Sequence, residues 1–253
     1  MISVDPYLAA GYSHSMPLHP SATLQFYFRW KPYQGANPLT AQRVFIGEDA
    51  NFEADIEAQE IWPLVAEYLE DGPAFWANHW VHHPFLLPEY AGDGRAYHRW
   101  FSHVFCREGG AANGSVVPLR QSVRDGISFV ELLPWPTTGA GNIQNTELLA
   151  AARAVGHFRA LAGLIFKPTT KVGRTVFITK TVAEKLNEQL ALDGVALQLP
   201  AANQLNLQDG PWHQVFEATR ERCRLVIHYH PMAHFPAGGS QQLRAAIREL
   251  LLG

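Results

Sequence analysis

Four short apolar runs punctuate the chain, Arg43–Gly47, Ile127–Leu133, Thr175–Thr179 and Arg224–Tyr229, and stretches of helical periodicity separate them. This alternation constrains the fold more than any other feature. Strands joined through helices pair in parallel, and a parallel sheet needs helices on both faces. Ile61, Leu64, Val65, Tyr68 and Leu69 place a helix over 57–70, and Tyr97, Trp100, Phe101, Val104 and Phe105 place another over 95–105. An Ala- and Leu-rich helix is predicted over 146–165, another over 181–190, and a last one over 241–252, capped by Ser240. The expected class is α/β: a three-layer α/β/α sandwich around a central, mostly parallel four-stranded sheet. No repeat, low-complexity tract or linker divides the chain, so residues 1–253 read as a single domain. Residues 1–40, aromatic and Pro-rich, read as an N-terminal extension packed on it, with Leu24–Phe28 as a stray strand.

Composition narrows the function classes. Charged residues make up 17% of the chain against about 25% for an ordinary domain, yet no apolar run reaches the length of a membrane span, so no membrane partner is expected. The start, MISVDPYLAAGYSHS, has an Asp and no Lys or Arg, unlike a signal peptide. Cys106 and Cys223 are the only cysteines, too few for a disulfide framework, a four-Cys zinc site or a four-Cys iron–sulfur cluster. A reducing cytoplasm is the expected location.

The net charge of −3 is unevenly spread. Residues 48–71 hold nine acids and no Lys or Arg, whereas 151–185 hold seven bases (Arg153, Arg159, Lys167, Lys171, Arg174, Lys180, Lys185) against Glu184 alone. Two readings stay open: solvated helix faces of opposite sign, or a basic face that meets a phosphate backbone.

Ligands of open α/β sheets bind beyond the carboxyl ends of the strands, so the segments that follow strands carry the candidate chemistry. Gly47-Glu48-Asp49-Ala50-Asn51-Phe52 follows the first run; its Gly permits a sharp turn, and Asp49 can orient a water, cap the loop or hold Mg²⁺. His230-Pro231-Met232-Ala233-His234-Phe235 follows the last run, where a His serves as hydrogen-bond donor, acid or base, or is satisfied by backbone carbonyls. His228 and His230 share a strand face, but a third ligand at recognisable spacing and the HExxH pattern are both missing, so no metal is expected. His79, His82 and His83, near Trp76 and Trp80, read as a packed aromatic loop in preference to a zinc site. The absence of GxGxxG, GxxxxGK[ST] and GxSxG takes away the main support for dinucleotide, P-loop and α/β-hydrolase readings. No cofactor is expected.

Taken together, the two motifs resemble those of the uracil-DNA glycosylase superfamily. Its first motif, Gly-x-Asp-Pro or Gly-x-Asn-Pro, is matched by Gly47-Glu48-Asp49-Ala50, and its His-Pro-Ser loop by His230-Pro231-Met232. The family's intermediate strand opens with Gly, runs apolar and ends in a base-reading Asn; Gly126-Ile127-Ser128-Phe129-Val130-Glu131 has that layout with Glu at the reading position. The resemblance spans about residues 40–252 in order and spacing.

The resemblance implies a DNA glycosylase-like hydrolase that flips a deaminated or damaged base into a pocket and cleaves its N-glycosidic bond. Asp49 would stabilise the sugar cation and hold the attacking water, and His230 would donate to the departing base. Asn51, Phe52, Glu131 and Trp62 are the base-binding candidates, with Phe52 and Trp62 as alternative stacking rings. Met232, His234 or Phe235, and Lys180 with the other bases of 151–185, would meet DNA, giving modest and salt-dependent affinity.

This chain departs from the pattern at Ala50 for Pro, at Asn51 where uracil-specific members have a ring, and at Met232 and Ala233 for small polar residues. The largest departure is Glu131 for Asn. An amide both donates and accepts, whereas an ionised carboxylate only accepts, so Glu131 selects a base rich in N–H donors or is held protonated by burial. Two alternatives stand beside the enzyme: a non-catalytic nucleobase- or nucleic-acid-binding relative, favoured by the acids close to Asp49, and a hydrolase of free nucleosides or nucleotides.

Overall fold

The structure is a computed structural model and describes residues 18–90, 92, 94, 95, 98, 126–139, 146–166, 174–195, 203–204, 213–216 and 223–228. Its core is a sheet in the order β1-β4-β2-β6-β9-β8-β7. The strands are β1 (Tyr33–Gly35), β2 (Arg43–Gly47), β4 (Ile127–Glu131), β6 (Arg174–Thr179), β7 (Asn203–Gln204), β8 (His213–Phe216) and β9 (Cys223–His228). A separate two-stranded sheet joins β3 (Ala50–Asn51) to β5 (Pro136–Thr137) in parallel.

The four expected strands, β4, β2, β6 and β9, run parallel side by side. The sheet is wider than four: β1 adds antiparallel to β4, and β8 and β7 add antiparallel beyond β9. Residues 1–40 are therefore not only an outer layer, because Tyr33–Gly35 closes one edge of the sheet.

Alternation along the strands divides the interior into two cores. Phe45, Ile127, Phe129 and Phe177 face α1 (Ala22–Trp30), α2 (Trp62–Glu70) and α3 (Gly72–His79). Val44, Ile46, Val130, Val176 and Ile178 face α4 (Thr146–Ala154), α5 (His157–Phe166) and α6 (Lys180–Leu192). Among the described residues the architecture is mixed α/β with helices on both faces. Register places Phe45 beside Phe129 and Phe177, each 5.3 Å away between ring centroids, so one aromatic row crosses three strands.

Three elements differ from the sequence reading. Leu24–Phe28 is not a strand but the middle of α1. Ser21 caps that helix by accepting from Leu24 N–H at 2.9 Å, and Leu24 and Phe28, four apart, form its buried stripe. The helix expected over 57–70 is a 3₁₀ turn, Ile56–Ala58, followed by α2, because Gln59 is extended between them. The helix expected over 146–165 is two helices, since Gly156 takes φ 73° and redirects the chain into α5. The helix at 241–252 and nearly all of 95–105 lie outside the described residues. No helix among the described residues is long and apolar enough to cross a membrane.

Candidate active site

The chain leaves β2 toward the α2–α3 face and leaves β4 toward the α4–α5 face. Among the parallel strands the order β4-β2-β6-β9 reverses direction at β2, so the switch point at the strands' carboxyl ends, where open α/β sheets bind ligands, falls between β2 and β6. Gly47 and Glu131 end β2 and β4 as register partners at this carboxyl edge.

Local hydrogen bonding then builds its floor. Leu132 N–H donates to Gly47 O at 2.8 Å and Leu133 N–H to Glu48 O at 2.9 Å, holding the two exits side by side. The strand expected over Ile127–Leu133 ends earlier, at Glu131, and Pro136–Thr137 pairs again, with Ala50–Asn51. Phe52 N–H closes this small sheet on Thr137 O at 3.1 Å.

Thr137 is fully buried, and its hydroxyl donates to the Asp49 carboxylate. Gly139 N–H donates to the same hydroxyl oxygen at 3.0 Å, so the hydroxyl proton is directed at Asp49. Asp49 is thereby oriented by a chain of two donors. The carboxyl of Glu131 folds over Gly47, where any side chain would collide with it. Burial, reinforced by the nearby charges of Asp49 and Glu48, pushes the Glu131 carboxyl well above the usual range. A carboxyl held neutral carries one O–H donor and one carbonyl acceptor, the pair an amide offers.

Two further groups fix this edge. Lys185 of α6 pairs with Glu48, joining the acidic 48–71 and basic 151–185 segments directly. His157, the first residue of α5, donates from Nε2 to Glu131 O at 2.9 Å and so ties the end of β4 to the opposite layer. Burial lowers its pKa to about 4, which leaves the ring neutral, and its Nδ1 is buried without a hydrogen-bond partner.

The structure therefore brings Gly47, Glu48, Asp49, Glu131 and Thr137 to one edge. Asn51 is exposed there, beside Gly139. Phe52 is not a rim ring: it is 3% exposed, with His19, Phe28 and Phe85 edge-on around it, so its faces belong to the core. Trp62 opens α2 and packs partly buried on the same core. Lys180 begins α6 immediately after β6, at the same carboxyl edge. His230, Met232, His234 and Phe235 lie outside the described residues. The last described strand ends at His228, paired with Thr179, so β9 also ends at this edge.

Acids and bases away from this edge are engaged locally. Arg159 pairs with Asp193 at 3.2 Å, His79 with Glu67 at 2.8 Å, and Asp71 caps α3 on Ala74 N–H. His82 and His83 are buried among aromatics, with His83 stacked on His98 at 3.5 Å and 6°; its Nδ1 accepts from Phe85 N–H. Burial lowers all three imidazoles, His98 to about 3, and no group of three ligands among the described residues could hold a metal ion.

Sequence reasoning gave no role to the Thr137 hydroxyl or to His157, and it took Lys185 for one of the DNA-facing bases, whereas Lys185 pairs with Glu48. Only Thr137 left a trace, a hydroxyl two residues before a Gly in a rim loop; the others reach the site from helices distant in sequence. Comparison with known protein families and with curated proteins finds no match for this chain.

Proposed function

We propose that this protein is a hydrolase of N-glycosidic bonds with a uracil-DNA glycosylase-like fold, releasing a deaminated or damaged base from DNA. The observation that carries the reading is the Asp49 carboxylate, oriented by Thr137, beside the Glu131 carboxyl, which burial and the nearby acids push toward its protonated form, at the carboxyl edge of β2 and β4. Those two residues fall on the positions that the family resemblance gives to water activation and base reading.

In this reading, Asp49 holds a water against the sugar's anomeric carbon and offsets the positive charge that develops there. The bond from that carbon to the base nitrogen breaks, the base leaves with the bonding electrons, and the water oxygen bonds to the carbon. The water's proton passes to Asp49, and the base is stabilised by a donor from His230 before it is protonated. The neutral Glu131 donates to a base carbonyl and accepts from the adjacent ring N–H, which fits a lactam edge such as that of uracil, hypoxanthine or xanthine.

The test is a cleavage assay with single- and double-stranded oligonucleotides carrying uracil, hypoxanthine, xanthine or a thymine mismatch, developed with alkali. Strand scission at a lactam base is expected. Binding of these oligonucleotides without release of any base would sink the enzymatic reading and leave a nucleobase binder. Release from free nucleosides alone would move the activity to small substrates.

A further inference from the structure

Three acids, Glu48, Asp49 and Glu131, meet at the edge formed by the ends of β2 and β4, and the chain provides for them differently. Glu48 pairs with Lys185 of α6. Asp49 accepts from the Thr137 hydroxyl, whose oxygen in turn accepts from Gly139 N–H. Glu131 is given neither kind of support. The charges that act on its carboxyl are those of Asp49 and Glu48, both of its own sign. His157 of α5 meets the main-chain oxygen of Glu131, not the carboxyl. Like charges held together do not all ionise, and a proton stays on the carboxyl whose charged form has no donor or cation to stabilise it.

The position of that carboxyl is built as well. Glu131 is the register partner of Gly47, and its carboxyl folds over Gly47, two residues before Asp49. The bonds from Leu132 N–H to Gly47 O and from Leu133 N–H to Glu48 O hold the two strand exits together. Glu48, Asp49 and Glu131 are each half-buried, between the closed core and solvent, where a substrate can reach them.

We infer that Glu131 is the general acid of the reaction, delivering its proton to the departing base while Asp49 takes one from the attacking water. The inference rests on the N-glycosidic reading above and goes beyond base reading, because a group that only reads keeps its proton. The bond between the anomeric carbon and the base nitrogen breaks, with its electron pair going to the base. The Glu131 O–H proton moves to the base carbonyl oxygen that it meets, so the base departs as its neutral lactim tautomer instead of an anion. The water oxygen bonds to the anomeric carbon, and the proton it sheds goes to Asp49. The pair carries one negative charge before the step and one after it, exchanged between the two carboxyls. One proton returning from Asp49 to Glu131 resets the site. A pair of carboxyls whose surroundings favour opposite protonation states is suited to this division of labour.

The experiment measures single-turnover base release from the oligonucleotides above by wild type and Glu131→Gln over a range of pH. Glutamine keeps the size, a donor and an acceptor, but has no proton to give. Wild-type release should fall by up to about tenfold per pH unit above the raised value of the carboxyl, and the variant should lack that limb. Near neutral pH the variant should be slower by about 10²–10⁴-fold. A second comparison sets uracil against 5-fluorouracil, whose fluorine lets the base leave more readily as an anion. The variant's deficit should be at least about tenfold smaller for 5-fluorouracil. Thermal midpoints and oligonucleotide affinity establish that the variant is folded and binds. An alkaline limb that persists in Glu131→Gln, or an equal deficit with both bases, would overturn the general acid and leave the hydrolase standing with Glu131 as a reader. Absence of base release by wild type from every oligonucleotide would defeat the hydrolase and this inference together.

Discussion

The carboxyl of Glu131 occupies the space that a side chain at Gly47 would fill, its carboxyl carbon 3.0 Å from where that Cβ would stand. The two residues are register partners on adjacent parallel strands, so the last residue of β2 sets the position of the last side chain of β4. Gly47→Ala should displace the carboxyl without breaking the strands, because the colliding atoms are the far end of a flexible side chain. Base release should fall at least about tenfold, the loss of a hydrogen bond of roughly 1.5 kcal/mol or more, while thermal unfolding shifts little. A large loss of stability with unchanged base preference would show that the notch serves packing alone.

The raised Glu131 carboxyl has a consequence for stability. Its contribution is fully present below the unfolded value of about 4.5 and is lost as pH rises through the higher folded value. Glu131→Gln removes the titration and keeps a donor and an acceptor. The variant should gain stability over wild type at up to about 1.4 kcal/mol per pH unit above pH 4.5, levelling off beyond the folded value. Urea unfolding at a series of pH values measures this, and a pH-independent difference would place the carboxyl in a solvated setting.

The imidazoles act in the opposite direction. His157 and His98, lowered to about 4 and about 3, with His82 and His83 also lowered, are neutral in the fold but accept protons once unfolded. Their stabilisation is complete above about pH 6.5 and declines as pH falls toward those values, by about 1.4 kcal/mol per unit for each histidine. His157→Gln, which keeps a donor for Glu131 O, should flatten part of the acid slope. An unchanged slope in that variant would show that His157 does not contribute to it.

These groups also show where the sequence was legible. Phe45, Phe129 and Phe177 alternate with apolar residues of the other core, so both faces of each strand are apolar and the short continuous runs were enough to locate β2, β4 and β6. Helix α1 was misread because Gln25-Phe26-Tyr27-Phe28 has strand-like composition, while the Ser21 cap and the Leu24–Phe28 stripe decide for helix. The break at Gly156 was hidden in an Ala-rich run. Asp49 and Glu131 were found as strand-end residues, but the upward shift of the Glu131 carboxyl comes from its burial and from Asp49 and Glu48, and its placement from Gly47, none of which a local pattern in β4 reveals. Thr137 joined the site only through a two-residue sheet too short to leave a periodic signal.

Thr137 supplies the next test. Thr137→Val keeps shape but removes both the donor to Asp49 and the acceptor for Gly139 N–H. A charge-assisted hydrogen bond is worth about 1.5–3 kcal/mol, so base release should fall roughly 10- to 150-fold. Thr137→Ser, which retains the hydroxyl, should recover most of it. Equal activity in both variants would remove Thr137 from any role in positioning Asp49.

Asp49→Asn separates charge from geometry. The amide oxygen still accepts from the Thr137 hydroxyl, so the loop stays in place, but the group lacks the charge that the proposed reaction assigns to proton uptake and to offsetting a sugar cation. Base release should fall by about 10²–10⁴-fold, the size expected for a positioned acid–base group, with oligonucleotide affinity and thermal midpoint retained. Glu131→Asn, measured alongside, shortens the reading side chain by one methylene while keeping an amide's donor and acceptor; preference among uracil, hypoxanthine and xanthine should move toward uracil, with the overall rate reduced. Two outcomes would count against the assignment. Undiminished release in Asp49→Asn would make that carboxylate a loop brace for Thr137 and no more. A Glu131→Asn variant that unfolds more easily yet reads the same base would make Glu131 a buried core acid, and the base-reading group would have to be sought elsewhere along the carboxyl edge.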